Sequence, residues 1–243
     1  MNRRTFAVSL LGVALPLGAG SSWAQPTKQQ PAVATPAATP LNAEQVVANV
    51  EGFYKRIKTF KASFKQRYFV AAYGTSKDSA GSVIFEKPGK MNWDYTSNGN
   101  HIVSNGQILK FYDRGNKQLY VQPVSKTQYP VLAFLTGQGS LKQSFTFTQL
   151  NATQMKFPTG YVLLGLPAQP NAAYSRVYFY VDATTFQVRR VLIEDVQGNR
   201  NRLDFDSPSV NTKAPPNAFV FTPPPGTQVI QPSAAQGLPS SAP

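Results

Sequence analysis

The chain offers few groups able to carry reaction chemistry. Its 243 residues include no cysteine and one histidine, His101. No thiolate nucleophile exists, and imidazole chemistry would rest on a single ring at a strand start beside a turn, where an ordinary surface histidine is the simpler reading. No serine sits in a nucleophile-elbow pattern. Asp204 and Asp206 share a strand face, a geometry that could hold a cation or an acid/base pair. Their cationic neighbours Arg189, Arg190, Arg200 and Arg202 make a solvated ion-pair face the better reading. Gly137-x-Gly139 has no continuing glycine pattern and no Gly-Lys-Ser/Thr, so a phosphate cradle is not expected. The expectation is a protein that is not an enzyme, with no catalytic residue, no metal site and no cofactor.

Charge narrows the partners. The formal net charge is +13. Arg189-Arg190 and Arg200-Asn201-Arg202, near Tyr178 and Tyr180, could form a nucleic-acid footprint. An export signal argues against that partner: Arg3 and Arg4 precede an apolar run from Phe6 to Leu17, and Ser22-Trp23-Ala24 is a small-x-small cleavage site. Arg3-Arg4-Thr5-Phe6 also loosely resembles a twin-arginine signal, so the sequence leaves Sec or Tat export open. The apolar run is too short and too broken by Pro16 to favour a membrane span. Without cysteine, neither a disulfide frame nor a lipidated residue after the signal is available. A soluble, periplasmic, monomeric protein with no nucleic-acid partner is expected, and its charge suits an anionic lipid or an acidic partner.

Residues 1–24 thus read as a signal peptide and 25–40, rich in Pro, Ala, Gln and Thr, as a flexible leader. Residues 41–232 form one domain, and 233–243 a flexible tail. Asn42 opens a helix, with Gln45 placed to complete a capping box. Val46, Val47, Val50, Phe53, Tyr54 and Ile57 make its apolar stripe. From Phe60 the period becomes two: Phe60, Ala62, Phe64, Gln66 and Tyr68 alternate with Lys61, Ser63, Lys65 and Arg67. Gly74–Ser79 reads as a loop. Strands are expected at Ser82–Glu86, Met91–Thr96, His101–Ser104, Gln107–Asp113 and Gln118–Val124. Asn105-Gly106 carries the residues of a type I′ hairpin. A helix over Ser125–Thr136 follows, stopped by Gly137. Further strands are expected at Ser144–Leu150, Gln154–Phe157, Tyr161–Leu166, Arg176–Asp182, Phe186–Asp195 and Arg202–Asp206. Pro215–Phe219 suits a short helical turn, and Phe221–Gly226 closes the domain.

The fold class is mostly β with α: about 10 or 11 antiparallel strands, enough to curl strongly, and two or three helices. Met91, Trp93 and Tyr95 share one face of their strand. Such an aromatic face could simply be a packed sandwich or barrel core. It could also be the concave side of a curved sheet, roofed by helices, with room for an apolar ligand.

A set of spaced residues resembles one family. Phe60-x₃-Phe64-x-Gln66, Gly81-x₃-Phe85-x-Lys87-Pro88-Gly89-x₃-Trp93-x-Tyr95, Ile102-Val103-x₂-Gly106-x₅-Tyr112-Asp113 and Phe219-x-Phe221-x-Pro223-Pro224-x-Gly226 resemble the periplasmic outer-membrane lipoprotein carrier family, LolA. The resemblance spans about Ala43 to Val229. It implies an unclosed antiparallel β-barrel lidded by helices, with an apolar cavity for acyl chains. It also implies a route: a triacylated lipoprotein is taken from an inner-membrane ABC-type release complex and passed to an outer-membrane receptor lipoprotein.

Residue by residue, the resemblance places Met91 and Trp93 in the cavity wall and Val131, Leu132 and Phe134 in the lid helix. Phe64 and Phe85 alternate correctly to point inward, as cavity or as plain core. Lys87 stands where the family usually has an arginine whose hydrogen bonds to lid carbonyls gate the cavity; lysine keeps the charge but loses the planar fork. Asn92, Asn105 and Lys110 are smaller departures, at positions where Arg, Asp and Trp are common. A lipid-sensing regulator, or a carrier of another lipid on the same fold, is the alternative.

Overall fold

Asn42 starts the one long helix among the described residues, as its sequence predicts. Its Oδ1 accepts from the Gln45 amide at 2.9 Å, and the Gln45 side chain accepts from the Asn42 amide at 3.0 Å. Helix α1 runs Ala43–Arg56 and buries Val46, Val47, Val50 and Tyr54. The computed structural model describes residues 40–124, 134–136 and 139–231, all within one unit that begins at Pro40. The signal, leader and tail expected at 1–24, 25–40 and 233–243 therefore lie outside the described residues, except Pro40.

Twelve strands form a single sheet that curves without closing. They are β1 (Thr59–Val70), β2 (Thr75–Glu86), β3 (Lys90–Asp94), β4 (His101–Asn105), β5 (Ile108–Asp113), β6 (Gln118–Pro123), β7 (Phe145–Leu150), β8 (Gly160–Pro167), β9 (Arg176–Asp182), β10 (Val188–Glu194), β11 (Arg200–Val210) and β12 (Gln228–Ile230). The order across the sheet is β12-β6-β5-β4-β3-β2-β1-β11-β10-β9-β8-β7. Neighbours pair antiparallel, apart from the edge strand β12, which runs parallel to β6. On β1 the buried Phe60, Ala62, Phe64 and Gln66 alternate with the more open Lys61, Ser63, Lys65 and Arg67. This is the period of two read from the sequence. The apolar members face α1, which also lies against β7, the helical turn Leu141–Ser144 and the 3₁₀ turn Phe134–Thr136.

Several local expectations are corrected. The loop expected at Gly74–Ser79 is, beyond Gly74, the start of β2, in register with β1 from Val70↔Thr75 to Thr59↔Glu86. These residues are polar because both faces are solvated there, and Arg67 holds Asp78 across the pair at 2.7 Å. Asn105-Gly106 makes no type I′ turn: Gly106 has φ +97°, while Asn105 stays in β4 and its Oδ1 accepts from the amides of Gln107 and Ile108. The side chain closes the turn that two positive φ values were expected to make.

Gln154–Phe157 is a chain of turns rather than a strand. Asn151 caps the Gln154 amide, and Lys156 takes φ +56°. Phe186 has φ +58° in the turn before β10, because Asp182 gathers the amides of Thr184 and Thr185. Of the helix expected at Ser125–Thr136, Phe134–Thr136 is described, as a single 3₁₀ turn. No described helix is long and apolar enough to cross a membrane.

Candidate functional site

The inner face of the sheet carries two sets of aromatic rings that meet under α1. In the first, Phe64 contacts Trp93 and Tyr95, each at 4.9 Å between centroids, and Trp93 meets Phe85 at 5.6 Å. Phe60 joins them to Phe205 at 6.0 Å. In the second, Phe179 stands among Phe134, Phe145 and Phe147 at 5.6–6.1 Å. Tyr54 of α1 links the sets, 6.3 Å from Phe60 and edge-on to Phe134 at 5.0 Å. Perpendicular rings at these separations are favourable edge-to-face pairs.

Of the residues singled out from sequence, Phe64, Phe85, Trp93 and Phe134 are buried on this face, and Met91 is half-buried against it. Val131 and Leu132 lie outside the described residues. Sequence reasoning passed over Tyr54, Phe145, Phe147, Phe179 and Phe205 as site residues. The two-residue spacing of Phe145 and Phe147 was the available signal; nothing local paired Phe179 with Phe134.

Among the described residues, few polar ties hold α1 down. The Lys87 ammonium donates to the Tyr54 carbonyl, one of the last-turn carbonyls that a helix leaves without an internal partner. Burial pushes the Lys87 ammonium below its ordinary value. Glu51 accepts from the Ser140 hydroxyl at 2.7 Å and from the Lys142 amide at 3.1 Å. The Tyr54 hydroxyl accepts from the Val188 amide at 3.2 Å, and burial pushes its pKa far above the usual phenol range. Between these ties opens a gap of about 220 Å³ bounded by Glu51, Tyr54, Lys87, Phe134 and Ser140.

The outer face is ionic. Asp204 accepts from both Arg190 (2.5 Å) and Arg202 (2.6 Å), and Asp206 pairs with Lys65 at 3.4 Å. Arg190 lies over the Tyr180 ring at 4.9 Å. Asp204, Arg190, Arg202 and Tyr180, noted in the sequence, are thus engaged with one another, while Arg200 lies over the Phe69 ring at 4.6 Å. No cluster suited to a metal occurs among the described residues. His101 lies 3.4 Å from Asp94 and stacks on Phe221. Asn92 and Lys110, both departures from the family pattern, donate to the carbonyls of Ala218 and Phe221 and hold the segment before β12 against the sheet.

Comparison with known proteins follows this geometry. Residues 55–222 match the family profile described as "Outer membrane lipoprotein carrier protein LolA". An outer-membrane lipoprotein carrier protein of Methylibium petroleiphilum is 28% identical over 195 residues, covering 76% of this chain and 88% of the relative. One from Bordetella pertussis is 29% identical over 205 residues, covering 82% and 93%. A solved structure of an uncharacterized conserved protein from Thermus thermophilus overlays with a TM-score of 0.49 at 12% identity, covering 78% of this chain and 99% of that one. With the family profile spanning most of its length, the chain belongs to the outer membrane lipoprotein carrier family, LolA.

Proposed function

We propose that the protein is a periplasmic carrier that shelters the acyl chains of outer-membrane lipoproteins against its inner aromatic face. It takes them from an inner-membrane ABC-type release complex and delivers them to an outer-membrane receptor lipoprotein. The physical need is plain. Each CH₂ exposed to water costs about 0.8 kcal/mol, and two or more chains anchor a protein stably to a bilayer. Crossing an aqueous gap therefore requires a surrogate apolar surface that also lets go.

The observation that carries the reading is the continuous ring surface joined through Tyr54 and Phe134, with α1 lying over it and a gap at its margin. On this reading, the carrier is closed when its rings contact one another as described. Acyl chains displace them as α1 lifts, exchanging ring–ring burial for ring–chain burial. Met91, Phe64, Phe85 and Trp93 supply the floor, Phe134 the roof, and Lys87 the gate. Residues 1–24 direct export, and donor and acceptor membranes set the direction.

Purification from the native envelope, followed by mass spectrometry of what co-elutes, tests the reading. Acylated lipoproteins are expected with the natural protein and not with Phe134→Glu. A different lipid, or a bound peptide without acyl chains, would contradict it.

A further inference from the structure

Beside the gate lies a second feature that lipid carriage alone does not require. Arg56, Lys58, Lys87 and Lys213 surround a depression of about 730 Å³, completed by Thr59, Glu86, Pro88, Asn211 and Thr212. It is built by two segments locked together. The Lys58 amide donates to Asn211 Oδ1 at 2.8 Å, the Asn211 amide to the Thr59 carbonyl at 2.9 Å, and the Thr59 hydroxyl to the Thr212 carbonyl at 2.8 Å. Lys61 Nζ ties down the Lys213 carbonyl at 2.6 Å. The carboxylate on the rim, Glu86, is taken by Lys90 at 2.8 Å. Arg56, Lys58 and Lys213 enter no ion pair among the described residues.

Lys87 is the wall between this depression and the gap under α1, since it lines both. Its ammonium, partly stripped of water, donates to a neutral carbonyl rather than to a carboxylate. An anion seated among Arg56, Lys58 and Lys213 offers that ammonium a stronger, charge-assisted partner. We propose that the depression binds the phosphate-bearing head group of an anionic phospholipid at a membrane surface. Binding there draws Lys87 off the Tyr54 carbonyl and loosens α1. The lid then opens where lipid is present and stays shut in the aqueous gap. The benefit rests on the carrier reading, but the coupling itself is measurable without cargo.

The absence of native cysteine allows clean nitroxide labelling of the exported protein as Asn49→Cys/Gln197→Cys, with one label on α1 and one in the β10–β11 turn. Electron–electron distances are read with phosphatidylglycerol vesicles, phosphatidylcholine vesicles or inorganic phosphate. Phosphatidylglycerol is expected to lengthen the distance and phosphatidylcholine to leave it unchanged. Lengthening by inorganic phosphate alone would overturn the lipid source in favour of a free oxyanion.

Lys58→Ala/Lys213→Ala is expected to weaken vesicle binding about thirtyfold, at about 1 kcal/mol per lysine, and to abolish the lengthening. Lys77→Ala/Lys156→Ala, which removes equal charge elsewhere, is expected to keep the lengthening. Equal effects of the two pairs, or no lengthening with phosphatidylglycerol, would overturn the proposal. Neither result bears on whether acylated lipoprotein co-purifies.

Discussion

The Lys87 ammonium donates to the carbonyl of Tyr54, whose ring meets Phe134 edge-on at 5.0 Å. One residue of α1 thus receives both the polar tie from the β2–β3 turn and the apolar contact from the 3₁₀ turn Phe134–Thr136. In the proposed carrier, removing the tie acts on closure without touching the rings proposed to bind chains. Lys87→Leu should speed cargo release about ten- to 150-fold, the equivalent of about 1.5–3 kcal/mol for a hydrogen bond from a charged donor. Uptake should change less, and Lys87→Arg should restore slow release. Stopped-flow transfer to acceptor vesicles separates the two steps; equal effects on both would remove Lys87 from gating.

Glu51 provides the second tie, and it is local to the lid. Glu51→Ala leaves the Ser140 hydroxyl and the Lys142 amide without their carboxylate acceptor. A loss of about 1 kcal/mol is expected, with faster amide exchange in α1 than in β1. Glu51→Gln, which keeps an acceptor oxygen, should lie closer to the natural protein.

Gly81, part of the family pattern, stands where β3 leaves no room for a side chain. A Cβ there would meet the Asp94 carbonyl oxygen at 1.9 Å and the Phe64 ring at 3.0 Å. Gly81→Ala should cost about 2–3 kcal/mol or more and disturb the β2–β3 pairing. Gly115→Ala, whose nearest neighbour is 3.4 Å away, should stay within about 0.5 kcal/mol. Urea titration compares them directly.

Asp182 sets an acid limb on stability. Burial raises its pKa, but hydrogen bonds from Thr185 and Thr184 outweigh that and hold it below the usual carboxylate range. A depressed folded value means the contribution is complete above the ordinary pKa and is lost as pH falls through the folded one. The stability difference between the natural protein and Asp182→Ala should therefore shrink as pH drops below about 4. A difference that stays constant down to the acid transition would exclude this role.

Much of the fold was legible because residue type and position reinforced each other. The capping box at Asn42 and Gln45 and the alternation along β1 are local signals, and both elements form where those signals lie. The outer end of β2 was hidden because its residues are solvated on both faces; its partner β1, not its composition, makes it a strand. Strand β12 was missed because three residues after a proline-rich segment carry no pattern, and its pairing with β6 is fixed by distant contacts. The site divides in the same way. Phe64, Phe85 and Trp93 could be placed inward by counting in twos. The meeting of Tyr54 with Phe134, and of Glu51 with Ser140, depends on how α1 lies over the sheet, which no spacing encodes. Asn92 and Lys110 looked like weaknesses against the family pattern until each was found holding a carbonyl of the C-terminal segment.

The central claim is that acyl chains lie against the inner rings. A lipoprotein carrying brominated acyl chains, which quench indole fluorescence on contact, tests it in the protein produced without residues 1–24, where Trp93 is the single tryptophan. The account predicts strong quenching on cargo binding, and little with cargo brominated only on its protein part. Cargo that binds and co-elutes while Trp93 emission stays unquenched by the brominated chains would contradict it.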